Sequence, residues 1–92
     1  MKQGNQAAAI NSFKKAQLVK PENSIPYMNL ATIYENRADE EFAMEQLKTA
    51  LAINPNNSES KLRIANMALH IRKYDQALDY YSKLVGDSTY ND

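Results

Sequence analysis

Slid against itself by 34 residues, this chain finds its own pattern again. Pro21 and Pro55 stand one step apart, Ala9 is followed by Ala43 and Ala77, and Phe13 by Leu47 and Tyr81. Ala16, Ala50 and Leu84 keep the same step, and the pair Leu30-Ala31 returns as Ile64-Ala65. So many coincidences in one register mean an array of like units. A 34-residue period fits a helix-turn-helix unit, so strands are not needed anywhere.

Local signals agree. Gly and Pro are scarce, and apolar residues recur three or four apart, the spacing of one helix face. Asn23-Ser24 and Asn57-Ser58 follow the two prolines and are expected to cap helices, with Pro26 tolerated in a first turn. Asp39 reads as a further cap, and Glu40 and Glu41 put negative charge at the positive end of the helix they start. We expect five helices, at about 5–19, 24–37, 40–53, 58–71 and 74–86. Their short connections make neighbours antiparallel.

The small residues then have a purpose. Ala31 and Ala43 let the two helices of a hairpin cross closely, while Tyr27, Leu30, Tyr34 and Leu47 fill the space around the crossing. Ala50 lets the next hairpin approach. No unit can bury its apolar face alone, so the units must stack.

At these positions the chain closely resembles the tetratricopeptide repeat. The unit 24–57 carries Tyr27 at an aromatic position, then Leu30, Ala31 where Gly is common, Tyr34, Ala43, Leu47, Ala50 and Pro55. The unit 58–91 is looser: Lys61 replaces the aromatic, Ala68 the Tyr and Thr89 the Pro, while Ile64, Ala65, Tyr74, Ala77 and Tyr81 fit. Residues 4–23 look like the second helix of a preceding unit. The resemblance implies one all-α domain over 1–92, a right-handed α-solenoid of antiparallel hairpins with a concave surface. Two and a half repeats leave end helices without their usual neighbours. The expectation is therefore a fragment of a longer array, or a homo-oligomer formed through the uncapped end helices.

Reactive groups do not assemble. His70 is the one histidine and there is no cysteine, which removes thiolate chemistry and any site with several imidazoles. His70 lies near a helix end and is expected to face solvent. Asp39, Glu40 and Glu41 are consecutive and so point to different faces. The two glycines, Gly4 and Gly86, lie at opposite ends and form no phosphate loop. The sequon at Asn56–Ser58 is accounted for by a turn and cap. Tyr27, Tyr34, Tyr74 and Tyr81 occupy packing positions, whereas Tyr80 and Tyr90 are less bound by the pattern. No catalytic residue, metal or cofactor is expected.

Eleven basic and eleven acidic residues cancel, so no field draws the chain to nucleic acid, and no apolar run approaches the length of a membrane span. The default compartment is the cytoplasm, for a soluble chain.

Binding is expected on the first helix of each unit, which lines the concave surface in the family. Its positions free of packing duty include Ile25, Met28, Asn29, Thr32, Glu35 and Asn36, then Glu59, Leu62, Arg63, Asn66, Leu69 and His70. From these we select Met28, Asn29, Thr32, Asn36, Glu59, Leu62, Arg63, Asn66 and His70 as the protein- or peptide-binding set. Asn29 can pair with a peptide backbone and Arg63 can hold a carboxylate. Both fall where the family's carboxylate-clamp members place Asn and Arg, although Glu59 stands where the clamp has Lys. The resulting reading is a noncatalytic scaffold binding a protein segment. The alternatives are a self-associating or packing module that buries Ala9, Phe13 and Ala16, and a docking arm of an enzyme whose catalytic domain lies elsewhere.

Overall fold

The computed structural model describes residues 3–86 and contains helices α1 (Gln3–Val19), α2 (Ile25–Asn36), α3 (Glu40–Ile53), α4 (Ser58–His70) and α5 (Tyr74–Gly86). No strand occurs among the described residues. The end of the second unit, with Thr89 and Tyr90, lies outside them. Contacts run between consecutive helices: α2 with α3 and α4 with α5 form tight hairpins, and the α1–α2 and α3–α4 junctions are lighter. The radius of gyration is 13.9 Å, against about 12 Å for a compact chain of this length. The molecule is correspondingly elongated, 44 × 28 × 19 Å.

Close helix approach is made by alanine, as the spacing predicts. Ala31, Ala43, Ala50, Ala65 and Ala68 are all fully buried, with Leu30, Leu47 and Ile64 filling the space around them. Met44, Met67 and Ala77 complete the cluster, and Met28, Tyr34, Leu51, Ile71, Tyr80 and Tyr81 pack on its margin.

The turns repeat as faithfully as the core. After α2, Ala38 takes φ 61°, and after α4, 34 residues on, Arg72 takes φ 65°. Asp39 N donates to Tyr34 O at 2.8 Å and Ala38 N to Glu35 O at 3.0 Å; Lys73 N donates to Ala68 O at 2.7 Å and Arg72 N to Leu69 O at 3.1 Å. These are two copies of the Schellman closure, which satisfies the last carbonyls of a helix through one left-handed residue. Glycine usually holds that position because a Cβ there costs about 1–2 kcal/mol. Here Ala and Arg hold it, so the sharp reversal is maintained by the packing of each hairpin.

Several expectations need correction. Asn57 does cap α4, accepting from Ser60 N at 3.0 Å, and Asn23 Oδ1 accepts from Ile25 N at 3.1 Å. Ser24 and Asp39 occupy N-cap positions but make no side-chain cap bond. Ser24 already has helical dihedrals, and the Asp39 carboxylate is engaged by Arg37 at 3.7 Å. Tyr74, expected to pack, is 59% exposed. It begins α5 on the side where no further helix lies among the described residues. Tyr80, less constrained by the pattern, packs against the core and has Lys83 Nζ 4.7 Å from its ring centre. Lys61, in an aromatic's place, is 9% exposed, and its neighbour Ser60 is fully buried.

Candidate functional site

On α2 and α4, residues that do not pack form polar rows, and the two rows are tied together by one side chain. Arg63 Nη2 donates to Thr32 Oγ1 at 3.0 Å and to Glu35 Oε1 at 3.1 Å, while its Nη1 lies 3.8 Å from Glu59 Oε2. Thr32 in turn donates to Met28 O at 3.2 Å. Arg63 is only 19% exposed, whereas Glu35 and Glu59 are 44% and 66% exposed. The guanidinium is therefore a brace between two first helices of successive units, already supplied with two carboxylates. The Glu59–Arg63 contact was readable from the i,i+4 spacing; the Glu35 contact needs the two helices placed side by side.

The remaining selected residues separate into three groups. Asn29 and Asn36 are exposed, and their amides make no hydrogen bond among the described residues, so both their donors and acceptors face outward. Asn66 and His70 are exposed but engaged: Tyr81 donates its hydroxyl to Asn66 Oδ1, and the His70 ring contacts the Glu40 carboxylate at the start of α3. Met28 and Leu62 are 34-residue mates with opposite fates. Met28 is half-buried, its sulfur 3.6 Å from Asn57 Nδ2, whereas Leu62 is 43% exposed.

The three consecutive acids do point apart, as expected, and each finds a different cation: Asp39 meets Arg37, Glu40 meets His70 and Glu41 meets Lys73 at 3.6 Å. The last two tie α3 to the far end of the next hairpin, in addition to placing charge at a helix start. Further cross-links, Gln17 to Gln46 at 3.0 Å and Lys48 to Gln76 at 3.3 Å, join successive second helices. Among the described residues no three His, Asp or Glu side chains converge on a point where a metal could sit, and no helix is long and apolar enough to cross a membrane. An open hollow lies at the α4–α5 turn, lined by Arg72, Lys73, Tyr74, Asp75 and Gln76. It is away from the polar rows and shallow, and its Lys73 is committed to Glu41.

Stacked helical hairpins with alanine crossings and outward polar rows define a helical-repeat protein. Residues 26–57 match the model of the tetratricopeptide repeat. The fold is similar to the crystal structure of MamA, with a TM-score of 0.83 at 20% sequence identity over 89% of this chain. The aligned region is 48% of the MamA chain, so this chain spans about half the length of that protein. No curated protein sequence matches. Residues 26–57 thus carry the tetratricopeptide-repeat pattern, a repeat type that suggests protein–protein interaction, and the described helices share the fold of a helical-repeat solenoid.

Proposed function

We propose that the α2–α4 face is a noncatalytic recognition groove for a segment of another protein, with nucleic acid and membrane outside its range. The observation that carries this reading is the pair of outward amides, Asn29 and Asn36, on a rigid helix whose other face is in the core. An amide offers a donor and an acceptor at once, which is what an extended backbone needs. Met28, Thr32 and Leu62 shape the surface beside them, and Glu59, Asn66 and His70 supply its far rim.

Arg63 takes a different role in this reading from that of a carboxylate clamp. With two carboxylates and a hydroxyl already around it, it holds the groove's walls together and has little charge to offer an incoming acid. The test is selection of binders from a displayed random-peptide library, followed by mapping of amide shifts on the labelled protein. Shifts should centre on Asn29, Asn36 and Thr32, and Asn29→Ala with Asn36→Ala should weaken binding roughly tenfold, the value of one or two net hydrogen bonds. Shifts confined to α5 would remove the site from this face.

A second reading draws on α1. Ala9, Phe13 and Ala16 are half-buried, while their mates Ala43, Leu47 and Ala50 are fully buried. That difference supports a packing role for α1 against another element. Phe13→Ser would then change particle size in light scattering, and an unaltered size and stability would exclude the role.

A further inference from the structure

The exposed side of α1 is basic and uncompensated. Between Gln3 and Pro21 the chain holds Lys14, Lys15 and Lys20 and no acidic residue; the first carboxylate is Glu22. All three lysines are exposed, and among the described residues none of their ammonium groups has an ion pair or a hydrogen bond. Elsewhere Arg37, Arg63, Lys73 and Lys83 each meet a carboxylate. A chain whose formal charges cancel thus gathers free positive charge on one helix.

The same side carries the two most exposed large apolar residues among those described, Leu18 at 83% and Val19 at 77%. At about 100° per residue, Lys14, Leu18, Lys15 and Val19 follow one another across about 140° of the helix surface, with Leu18 one turn from both lysines. The opposite side holds the half-buried Ala9, Phe13 and Ala16, and Gln17, which is bonded to Gln46. This orientation belongs to the repeat unit and does not depend on what precedes α1. Thr49 and Ala52, the mates of Lys15 and Leu18 in α3, are exposed although α3 packs between α2 and α4. At these outward positions α3 presents a threonine and an alanine, whereas α1 presents a lysine and a leucine.

We propose that this face of α1 rests on an anionic lipid surface, its lysines against the headgroups and Leu18 and Val19 dipped among the upper acyl chains. Shape favours a bilayer over an acidic protein segment. The patch is the outward side of a single helix, so it offers a protein segment no second wall to pack against. A fluid interface accepts protruding side chains without a matching cavity. No described helix is long and apolar enough to cross the bilayer, so the attachment is peripheral. It uses no residue of the α2–α4 groove, and the two contacts are therefore independent.

The test is sedimentation of the full chain with vesicles of phosphatidylcholine alone, or of two parts phosphatidylcholine to one of phosphatidylserine. Binding is expected only to the mixed vesicles, and should be lost in about 1 M salt, where charges are screened beyond about 3 Å. Lys15→Gln should weaken it about fivefold, and Lys14→Gln together with Lys15→Gln about thirtyfold. Leu18→Ser with Val19→Ser should weaken it at least about tenfold, because the apolar anchor is gone. Arg72→Gln, at an exposed cation with no carboxylate partner among the described residues, and Phe42→Ser, at an exposed apolar residue of α3, should leave it unchanged. Circular dichroism should show the same helicity throughout, since every substituted side chain is exposed. Equal binding to phosphatidylcholine alone, no sedimentation with either vesicle, or the same loss from Arg72→Gln as from Lys15→Gln would overturn the proposal. Capture by soluble polyglutamate, with Leu18→Ser and Val19→Ser without effect on vesicle binding, would also overturn it and assign the face to an acidic protein.

Discussion

Replacing Ala43 by Leu asks how closely α2 and α3 approach. Ala43 is fully buried, and so are Ala31 on the facing helix and Leu47 one turn along. If the crossing held spare room, the three added carbons would be buried at about 0.8 kcal/mol each, and the protein would gain roughly 2 kcal/mol. If the helices touch through the methyl groups, the added carbons force side chains off their rotamers and the loss is about 1–3 kcal/mol. The two cases differ in sign, so a modest measurement separates them. We expect the loss, seen in urea denaturation followed at 222 nm. In heat it corresponds to a melting point lower by about 4–8 °C per kcal/mol for a chain of this size. Ala52→Leu makes the same change on the same helix at an exposed residue, and should stay within about 0.5 kcal/mol of the parent. Ala43→Leu as stable as the parent, or more so, would refute the account of the crossing and, with it, the explanation of the alanine period.

Other outcomes follow from individual contacts. Asn57→Ala should cost about 1 kcal/mol because it removes a cap bond, whereas Ser24→Ala and Asp39→Ala, which remove none, should each cost under about half that in the same denaturation series. Ala38→Gly and Arg72→Gly should both raise the melting point, relief of the left-handed Cβ outweighing the added freedom of the unfolded chain; a fall at both sites would show that the Cβ is not strained. Ser60 Oγ is buried with no partner among the described residues, so Ser60→Ala should be neutral or stabilising by up to about 1 kcal/mol, measured as a shift in urea midpoint. Arg63→Gln should leave helicity intact and lower stability by no more than about 1 kcal/mol, with the difference shrinking in high salt.

The helices were legible because their causes are local. Caps, prolines and the three-to-four spacing act within a turn or two, and α3 and α5 lie within a residue of the expected bounds. The alanine crossings were legible for a related reason: a small side chain repeated at one register has few other uses. The candidate site was less so. Asn29 and Asn36 were identified as free surface and are free. Arg63 was read as able to hold an incoming carboxylate, whereas Glu35 already pairs with it at 3.1 Å, a partner that appears only when α2 and α4 stand side by side.

The 34-residue recurrence alone determines that the chain is helical, that its helices pair, and where each pair crosses, since these depend on contacts between residues near in sequence or in equivalent register. It does not decide what a surface residue meets. Glu40 and Tyr74 occupy the same place in the repeat, yet one is held by His70 and the other is exposed, because among the described residues only the first has a hairpin stacked beside it. Exposure is a property of neighbours, and a repeat by itself states the position of each unit without saying what lies against its open side.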